Sequence, residues 1–339
     1  MKISIIGAGS FGTAMAAVAS SCGNDVVLWA HDPNVAAEIE QTRRNPIYLQ
    51  SVALDGRVRA TNSLAEAAAF SEVLFMIVPS HHYRGVLADI RPLLRGDVAV
   101  ISGTKGIEND TLQRMSEVTA HELGGALRAF AVLSGPTFAL EAARGDPTAA
   151  VVASLDQALA EQVQRAMSSP TFRVYNSHDV AGVELAGALK NVIAIAAGVI
   201  EGLGLGSNTT AALITRGLHE MTKLAVALGG RIETLAGLAG MGDLVLTCTG
   251  SLSRNRSVGV ALGRGKPLAE ILSEARTVAE GVRTSKAAKE LAERHGIDMP
   301  ITAEMYRVLH EGESPRSALQ RLMTRSLKSE VTRETPSNQ

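Results

Sequence analysis

The sequence has few of the residues that mark disulfide-rich, metal-dependent or nucleic-acid-binding proteins. Its 339 residues include two cysteines, and neither these nor the eight histidines follow a CxxC, HExxH or other metal-ligand spacing. Aromatic residues make up 3%, which leaves few side chains on which bases could stack. With 33 basic and 34 acidic residues the formal charge is -1, so no overall field attracts nucleic acid or an anionic membrane. Composition therefore favours a reduced, metal-free cytoplasmic protein that binds any anion through local groups.

Two apolar segments resemble export or membrane signals. The run over residues 1–22 ends in small residues and a cysteine, but its three glycines would break the helical core of a signal peptide. Residues 183–200 approach the length of a membrane span, yet they include Glu184, Lys190 and Asn191. We therefore expect no membrane insertion, and we interpret the second segment as a buried helix with functional polar groups.

Short apolar runs alternate with amphipathic stretches through the first half of the chain. This pattern predicts an α/β fold, a Rossmann-like doubly wound parallel sheet. From about residue 179 the composition changes to Ala, Leu, Gly and charged residues with helical spacing, which predicts an all-α second half. We expect a dinucleotide-binding domain over residues 1–178, a helical substrate and catalytic domain over 179–331 and a flexible tail over 332–339. Candidate strands cover residues 2–6, 26–29, 73–78, 98–102, 129–133 and 149–153.

A glycine motif follows the first candidate strand directly. In KISIIGAGSFGTAMAAVAS, Gly7, Gly9 and Gly12 form GxGxxG at the point where a strand would turn into a helix. Such glycines allow a tight turn, close approach of a pyrophosphate and close helix packing, with the anion at the helix N-terminus. The motif predicts a dinucleotide site, with a purely structural glycine turn as the alternative. Asp32 at the end of the second strand would favour NAD, whereas a protonated His31 could accept the 2′-phosphate of NADP, and the choice stays open.

The helical half contains two segments with polar groups suited to chemistry. In GVELAGALKNVIAIAAG, Lys190 and Asn191 lie in an apolar helix. The lysine either reaches the surface or is partly desolvated, which would lower its pKa toward the range useful for acid–base catalysis. GLAGMGDLVLTCTGSLSRNRSVG combines a glycine-rich turn with Asp243, several hydroxyls, Arg254 and Arg256. Arginine beside hydroxyl and amide donors suits a phosphate monoester, although a solvated basic loop is the commoner meaning of such a run.

These motifs, in this order, closely resemble the prokaryotic type of NAD(P)-dependent glycerol-3-phosphate dehydrogenase. The resemblance covers nearly the whole chain, from GAGSFGTA through SGTKGIE, LSGPTFALE, LKNVIAIAAG, NTTAALITRGLHE and GLAGMGDLVLTCTGSLSRNR to VAEGVRT. It implies NAD or NADP as cofactor and reversible reduction of dihydroxyacetone phosphate to sn-glycerol 3-phosphate, the entry to glycerophospholipid synthesis.

The resemblance also implies roles for individual residues. Lys190 matches the proton donor and acceptor, and Lys105 matches a lysine shared between cofactor and substrate. Asn191 and Thr247 are expected to support the site. Together with Lys105 and Lys190, the implied substrate contacts are Gly135, Thr137, Asp243, Ser253, Arg254 and Asn255. Together with Lys105, the implied cofactor contacts are Gly7, Gly9, Ser10, Phe11, Gly12, His31, Ala139, Arg254, Val278 and Glu280.

One segment departs from the family pattern. The stretch Tyr48-Leu49-Gln50-Ser51 lacks the Pro-Gly pair that usually follows this Tyr-Leu in relatives. The resemblance therefore predicts neither the local turn nor a cofactor contact by Tyr48. The motifs that carry the proposed chemistry are intact.

Two other functions stay open at this point. A related beta-hydroxyacid or sugar-acid dehydrogenase should lack the SRNR motif together with LKNV. A non-catalytic NAD(P)-sensing module would not need Lys105, Lys190 and Asp243 together. We expect no metal and no nucleic-acid partner. The apolar helix, rich in Gly and Ala, would suit a homodimer interface, but a monomer core explains it equally well.

Overall fold

The computed structural model of the chain describes residues 1–274, 279–327 and 329–330. The predicted tail, residues 332–339, lies outside them. The described residues form one eight-stranded sheet followed by a helical half, which confirms the predicted fold class. The strands are β1 (Lys2–Ile6), β2 (Asp25–Trp29), β3 (Val58–Thr61), β4 (Val73–Met76), β5 (Val98–Ser102), β6 (Leu127–Ser134), β7 (Thr148–Ser154) and β8 (Phe172–Ser177).

The sheet has the order β3-β2-β1-β4-β5-β6-β7-β8. Neighbouring strands are parallel except β6 and β7, which pair antiparallel. Strands β4 and β5 are buried along their whole length, as expected for strands covered by helices on both faces. The covering helices are α1 (Ser10–Ser21), α2 (Pro33–Thr42), α3 (Leu64–Phe70), α4 (Ser80–Ile90), α5 (Met115–Leu123), α6 (Ala139–Arg144) and α7 (Gln157–Met167).

The two edge strands, β3 and β8, are not among the strands predicted from the sequence. Strand β3 has four residues, and only its first and last are buried. In β8, buried Phe172 and Val174 alternate with exposed residues, so it has no continuous apolar run. An edge strand needs to bury only part of its surface, and short alternation of this kind is a weak sequence signal.

In the described residues after β8, all regular elements are helical. The central helix, Val180–Gly202, is long and apolar enough to cross a membrane, but its whole apolar window is buried inside the protein. This agrees with its interpretation as a buried helix. The helices are α8 (Val180–Gly202), α9 (Ser207–Ala227), α10 (Ile232–Ala236), α11 (Asp243–Thr249), α12 (Arg254–Gly263), α13 (Leu268–Glu274), α14 (Glu280–Arg294), α15 (Pro300–His310) and α16 (Pro315–Met323).

Helices α8 and α12 cross at unusually short range through four glycines. A Cβ atom on Gly259 would lie 1.9 Å from the carbonyl oxygen of Ile195, and one on Gly198 would lie 2.0 Å from another helix carbonyl. Gly202 and Gly263 face the partner backbone in the same way, with closest distances of 2.3 and 2.5 Å. The two backbones therefore touch, and this contact fixes the start of α12 against the lysine-bearing helix. The equal spacing of the glycines on both helices is a sequence signal that the analysis did not use.

We expect Gly259→Ala to destabilise the protein by about 1–3 kcal/mol or more, because the added methyl overpacks a backbone contact. The measurement is the midpoint of thermal or urea unfolding. Gly85→Ala is the matched control, since Gly85 lies in α4 and a Cβ there meets no atom within 4 Å. That control should be neutral or slightly stabilising, because alanine favours the helix. Equal midpoints for Gly259→Ala and the unmodified protein would contradict the prediction.

Candidate active site

The glycine turn between β1 and α1 leaves an open cradle. Gly7 has φ +120°, and a Cβ there would lie 2.3 Å from the carbonyl oxygen of Ile77. A Cβ on Gly12 would lie 1.8 Å from the Gly7 carbonyl oxygen, whereas one on Gly9 would meet nothing within 4 Å. Helix α1 has no side-chain cap, so no described side chain occupies the N–H groups of its first turn. Open space in front of free helix amides fits the pyrophosphate of a dinucleotide.

Asn45 supports this turn, and the sequence analysis missed it. The buried Asn45 side chain donates through Nδ2 to the Ala8 carbonyl and to Thr13 Oγ1, both at 2.9 Å. Its Oδ1 accepts from the backbone N–H groups of Ile47 at 3.1 Å and Tyr48 at 2.9 Å. Asn45 thus joins the glycine turn to the Tyr48 segment. An asparagine before proline signals a local turn, and nothing in that signal points to a contact 37 residues away.

The Tyr48 segment forms its turn without a Pro-Gly pair. Leu49 takes φ +55°, a left-handed conformation that is uncommon for a residue with a branched side chain. The Leu49 carbonyl accepts from the N–H of Val52 at 2.8 Å, which closes the turn. The departure from the family pattern therefore has a definite local structure.

At the end of β2 the two candidate ribose-reading residues differ in their contacts. His31 is exposed, and its ring meets the Trp29 ring edge-on at a centroid distance of 5.8 Å. Asp32 caps α2, because its Oδ1 accepts from the N–H of Asn34 at 2.8 Å. The Asp32 carboxylate thus has a structural task at the helix start that the sequence analysis did not assign.

A buried carboxylate lies between two lysines where the helical half meets the loop after β5. Lys190 on α8 donates to Asp243 Oδ1 at 2.5 Å, and Lys105, in the loop after β5, donates to Asp243 Oδ2 at 2.6 Å. Asp243 follows a π-helical turn over Leu238–Gly242, a distortion often found at functional sites. Both oxygens of one carboxylate are therefore used to hold two ammonium groups side by side.

Burial and mutual charge shift the pKa values of Asp243 and Lys190. Burial alone would raise the pKa of Asp243, but the charges and hydrogen bonds of Lys105 and Lys190 hold it below its ordinary value. Burial lowers the pKa of Lys190 to about 8, with a further decrease from the charge of Lys105 and an opposing increase from Asp243. Thr247 Oγ1 accepts from Lys190 Nζ at 2.7 Å. Near neutral pH, Lys190 can consequently both give and take a proton.

Lys105 connects the lysine group to the nucleotide-binding half. Its Nζ lies 5.8 Å from the centre of the Phe11 ring in the first turn of α1 and donates to the Gly135 carbonyl at 3.3 Å. Gly135 has φ +132°, and Thr137 Oγ1 donates to the same carbonyl at 3.1 Å. Ala139 begins α6 two residues further on. The structure therefore brings the SGTKG and SGPTFA motifs together with the glycine turn.

The start of α12 separates two arginines that are adjacent in the motif. Ser253 caps the helix by accepting from the N–H of Arg256 at 3.2 Å, and the Arg256 guanidinium pairs with Glu201. Arg254 makes no side-chain hydrogen bond or ion pair with any described residue, while Glu280 and Tyr48 lie close enough to act on its charge. Arg254 is therefore available to bind an anion, and Arg256 is not.

Two asparagines connect this helix start to the lysine helix. Asn255 donates through Nδ2 to Asn191 Oδ1 at 3.0 Å, and its own Oδ1 accepts from the N–H of Gly281 at 2.9 Å. Asn191 Nδ2 in turn donates to the Lys105 carbonyl at 3.4 Å. Glu280, the first residue of α14, accepts from Ser80. Val278 lies outside the described residues.

Cys248 lies in α11, near Lys190 and Asp243. Burial raises the pKa of Cys248 to about 12, which keeps its thiol protonated. Within residues 1–274, 279–327 and 329–330, no three His, Cys, Asp or Glu side chains are grouped as potential metal ligands.

Some solved structures share only the fold of this chain, and others are also similar in sequence. A ketopantoate reductase of the PanE/ApbA family from Ralstonia eutropha is 19% identical, with a TM-score of 0.57 over 95% of this chain and all of that chain. It shows a shared fold alone. A glycerol-3-phosphate dehydrogenase from Coxiella burnetii is 40% identical, with a TM-score of 0.92 over 96% of this chain and 99% of that one.

Sequence comparison gives the same family over nearly the whole chain. Residues 2–160 and 179–320 match the models described as NAD-dependent glycerol-3-phosphate dehydrogenase N-terminus and C-terminus. The glycerol-3-phosphate dehydrogenases [NAD(P)+] of Geobacter sulfurreducens and Geobacter metallireducens are 53% and 54% identical over 330 residues, covering 97% of this chain and 98% of each relative. The chain therefore belongs to the NAD-dependent glycerol-3-phosphate dehydrogenase family.

Proposed function

We propose that the protein catalyses the reversible NAD(P)H-dependent reduction of dihydroxyacetone phosphate to sn-glycerol 3-phosphate. The observation that carries this proposal is the buried Lys105–Asp243–Lys190 group, together with Arg254 at the start of α12, whose guanidinium makes no hydrogen bond or ion pair with a described residue. The names of the relatives supply the reaction, and the described residues supply groups suited to each part of it: an anion cradle, a proton donor and a phosphate-binding cation.

A nicotinamide dinucleotide fits the cradle at the start of α1, where Gly9 faces open space. When bound, the cofactor supplies the hydride. We assign its binding to Gly7, Gly9, Ser10, Phe11, Gly12, His31, Lys105, Ala139, Arg254, Val278 and Glu280. Because His31 is exposed and Asp32 already caps a helix, we expect both NADH and NADPH to be accepted.

Lys190 is the proposed proton donor in reduction and acceptor in oxidation. As an ammonium it donates to the C2 oxygen of the substrate while negative charge develops there, and general acid help of this kind contributes about 100- to 10,000-fold. Lys105 adds a second positive charge beside the same oxygen, and Asp243 limits the repulsion between the two ammonium groups.

The remaining proposed contacts bind parts of the substrate that are remote from the reacting carbon. Gly135 and Thr137 lie beside Lys105, and Ser253, Arg254 and Asn255 lie at the start of α12. Binding energy from the remote phosphate fixes the reacting carbon in place, so the phosphate contributes to turnover. Asn255 positions the start of α12, since the nitrogen and the oxygen of its amide are already hydrogen-bonded to Asn191 and Gly281.

The decisive experiment is oxidation of NADH or NADPH by the purified protein with dihydroxyacetone phosphate. Unphosphorylated dihydroxyacetone and a 2-keto carboxylate serve as controls. We expect turnover with the phosphorylated ketone far above both controls. Preference for the carboxylate would instead support the hydroxyacid dehydrogenase alternative, and cofactor binding without any turnover would support the sensing module.

If Arg254 binds the phosphate, Arg254→Ala should raise the KM for dihydroxyacetone phosphate by about 10- to 100-fold, as expected when a charge-assisted contact of 1.5–3 kcal/mol is lost. The effect on any slow reduction of unphosphorylated dihydroxyacetone should be much smaller. Arg256→Ala is the matched control, because Arg256 is paired with Glu201. Equal effects of Arg254→Ala on both ketones would remove Arg254 from phosphate recognition.

We further propose that the enzyme acts in the cytoplasm, without metal, and supplies glycerophospholipid synthesis, whose backbone is its product. We also propose the division into a nucleotide-binding domain over residues 1–178 and a substrate domain over 179–331. A homodimer is a prediction that sedimentation at several protein concentrations would test.

A further inference from the structure

Two similar serine–glutamate contacts join the nucleotide-binding half to the helical half. In the Ser80 clamp, the N–H and Oγ of Ser80 donate to Oε1 and Oε2 of Glu280 at 2.9 and 2.6 Å. In the Ser116 clamp, the N–H and Oγ of Ser116 donate to Oε1 and Oε2 of Glu184 at 2.7 and 2.6 Å. In each clamp, a serine in the first turn of α4 or α5 binds both oxygens of a carboxylate from the helical half.

The Ser80 clamp touches the loop that carries Lys105. A Cβ atom on Gly106 would lie 2.5 Å from Ser80 Cβ, 2.7 Å from Ser80 Oγ and 3.2 Å from Glu280 Oε2. Gly106 is the residue directly after Lys105. The absence of a side chain at Gly106 therefore allows the lysine loop to pack directly on the clamp.

The other end of the Ser80 clamp leads to the lysine helix. Glu280 is followed by Gly281, whose N–H donates to Asn255 Oδ1, and Asn255 donates to Asn191, the neighbour of Lys190. A Cβ on Gly281 would lie 2.5 Å from the Asn191 carbonyl oxygen, so the start of α14 packs against the backbone of α8. The Ser80 clamp is thus connected to the loop of Lys105 through Gly106 and to the helix of Lys190 through Gly281 and Asn191.

The Ser116 clamp has the same chemistry but a different location. Ser116 lies in α5, and Glu184 lies in the first two turns of α8, six positions before Lys190. Arg114 is a third partner of the Glu184 carboxylate, at 3.5 Å. This clamp joins the two halves through α5 and α8, without α14, and it is the comparison for the Ser80 clamp. Its neighbour Arg114 forms an isolated β-bridge with Ile107 on the lysine loop.

We propose that Ser80 is a positioning residue for the reduction: through Glu280 it fixes the separation between the glycine turn of one half and the Lys105–Asp243–Lys190 group of the other. This inference rests on the proposed function. The hydride donor binds to one half and the proton donor belongs to the other, so their alignment depends on that separation. A displacement of about 1 Å in such an arrangement can lower the rate by about 100-fold.

The test compares Ser80→Ala with Ser116→Ala. Each change removes one hydrogen bond from a serine hydroxyl to a glutamate carboxylate. We expect Ser80→Ala to lower kcat about tenfold, which is less than the loss expected for a full 1 Å displacement. The KM for dihydroxyacetone phosphate should stay within about threefold of that of the unmodified enzyme. Ser116→Ala should lower the unfolding midpoint and keep kcat within about twofold of the unmodified enzyme. Without cofactor, hydrogen exchange at residues 280–284 should become faster in Ser80→Ala only.

A double-mutant cycle separates positioning from a general loss of stability. In a Glu280→Ala background, Ser80→Ala should have no further effect on kcat, because its partner is already absent. Unchanged kcat in Ser80→Ala, an equal kcat loss in Ser116→Ala, or additive effects in the cycle would each overturn the proposal. If the unmodified protein did not reduce dihydroxyacetone phosphate, the proposed function would fail instead, and hydrogen exchange would still report whether Ser80 holds the start of α14.

Discussion

Replacing Lys190 with alanine should lower turnover of dihydroxyacetone phosphate by about 100- to 10,000-fold, the range expected for loss of a general acid. The protein should still fold, because Asp243 keeps Lys105 as a partner at 2.6 Å and is not left as an unpaired buried charge. NADH binding should also persist, since the glycine turn does not depend on this side chain. The measurements are kcat, NADH affinity by fluorescence and the unfolding midpoint.

Two further variants test whether the loss of turnover comes from the ammonium group of Lys190. Lys190→Met keeps most of the side-chain volume without the charge, so a loss equal to that of Lys190→Ala would exclude a cavity effect. Lys223→Ala removes an exposed lysine from α9 and should leave turnover unchanged. Near-normal turnover in Lys190→Ala would remove this residue from the mechanism, whatever the stability of the variant.

The sequence was sufficient for the parts of the fold that have strong local signals. Continuous apolar runs predicted the buried strands, and GxGxxG predicted the turn that Gly7 and Gly12 require. Strands β3 and β8 were missed because edge strands are short or alternate with polar residues. The antiparallel pairing of β6 and β7 was missed as well, because a strand's own composition does not determine its direction.

The site was less accessible to local reasoning, because its contacts span long sequence distances. Lys105 and Asp243 are 138 positions apart, and only the family resemblance placed both in one site. Asn45 and Ser80 have ordinary local signals, a turn and a helix start, that do not reveal their distant partners. The composition of the motif could not separate Arg254 from Arg256, and only the family resemblance selected Arg254, since their difference depends on the position of Glu201.

The pH dependence of the two directions should be opposite. Burial lowers the pKa of Lys190 from 10.5 to about 8, so the ammonium form predominates below this value and the neutral amine above it. Reduction uses the ammonium as donor, so its rate should fall as pH rises through about 8. Oxidation uses the amine as acceptor, so its rate should rise over the same range. Profiles of kcat/KM, which report the free enzyme, would show both limbs.

Asp243→Asn should move this midpoint to lower pH and reduce turnover at neutral pH. The Asp243 charge raises the pKa of Lys190, and its removal leaves burial and the charge of Lys105 unopposed. The limb of the pH profile that belongs to reduction should therefore shift to lower pH. Less of Lys190 is then protonated at pH 7.5, and the two lysines lose their common anchor, so we expect about a tenfold to 100-fold loss.

Thr247→Val separates charge from hydrogen bonding in the Asp243 result. Thr247 accepts from Lys190 Nζ at 2.7 Å, just as Asp243 does, but it carries no charge. Its replacement by valine keeps the side-chain shape, so turnover should fall while the midpoint of the reductive limb moves much less than in Asp243→Asn. If both variants shifted the midpoint equally, hydrogen bonding alone would set the proton affinity of Lys190. If neither did, Lys190 would not be the group that titrates in the profile.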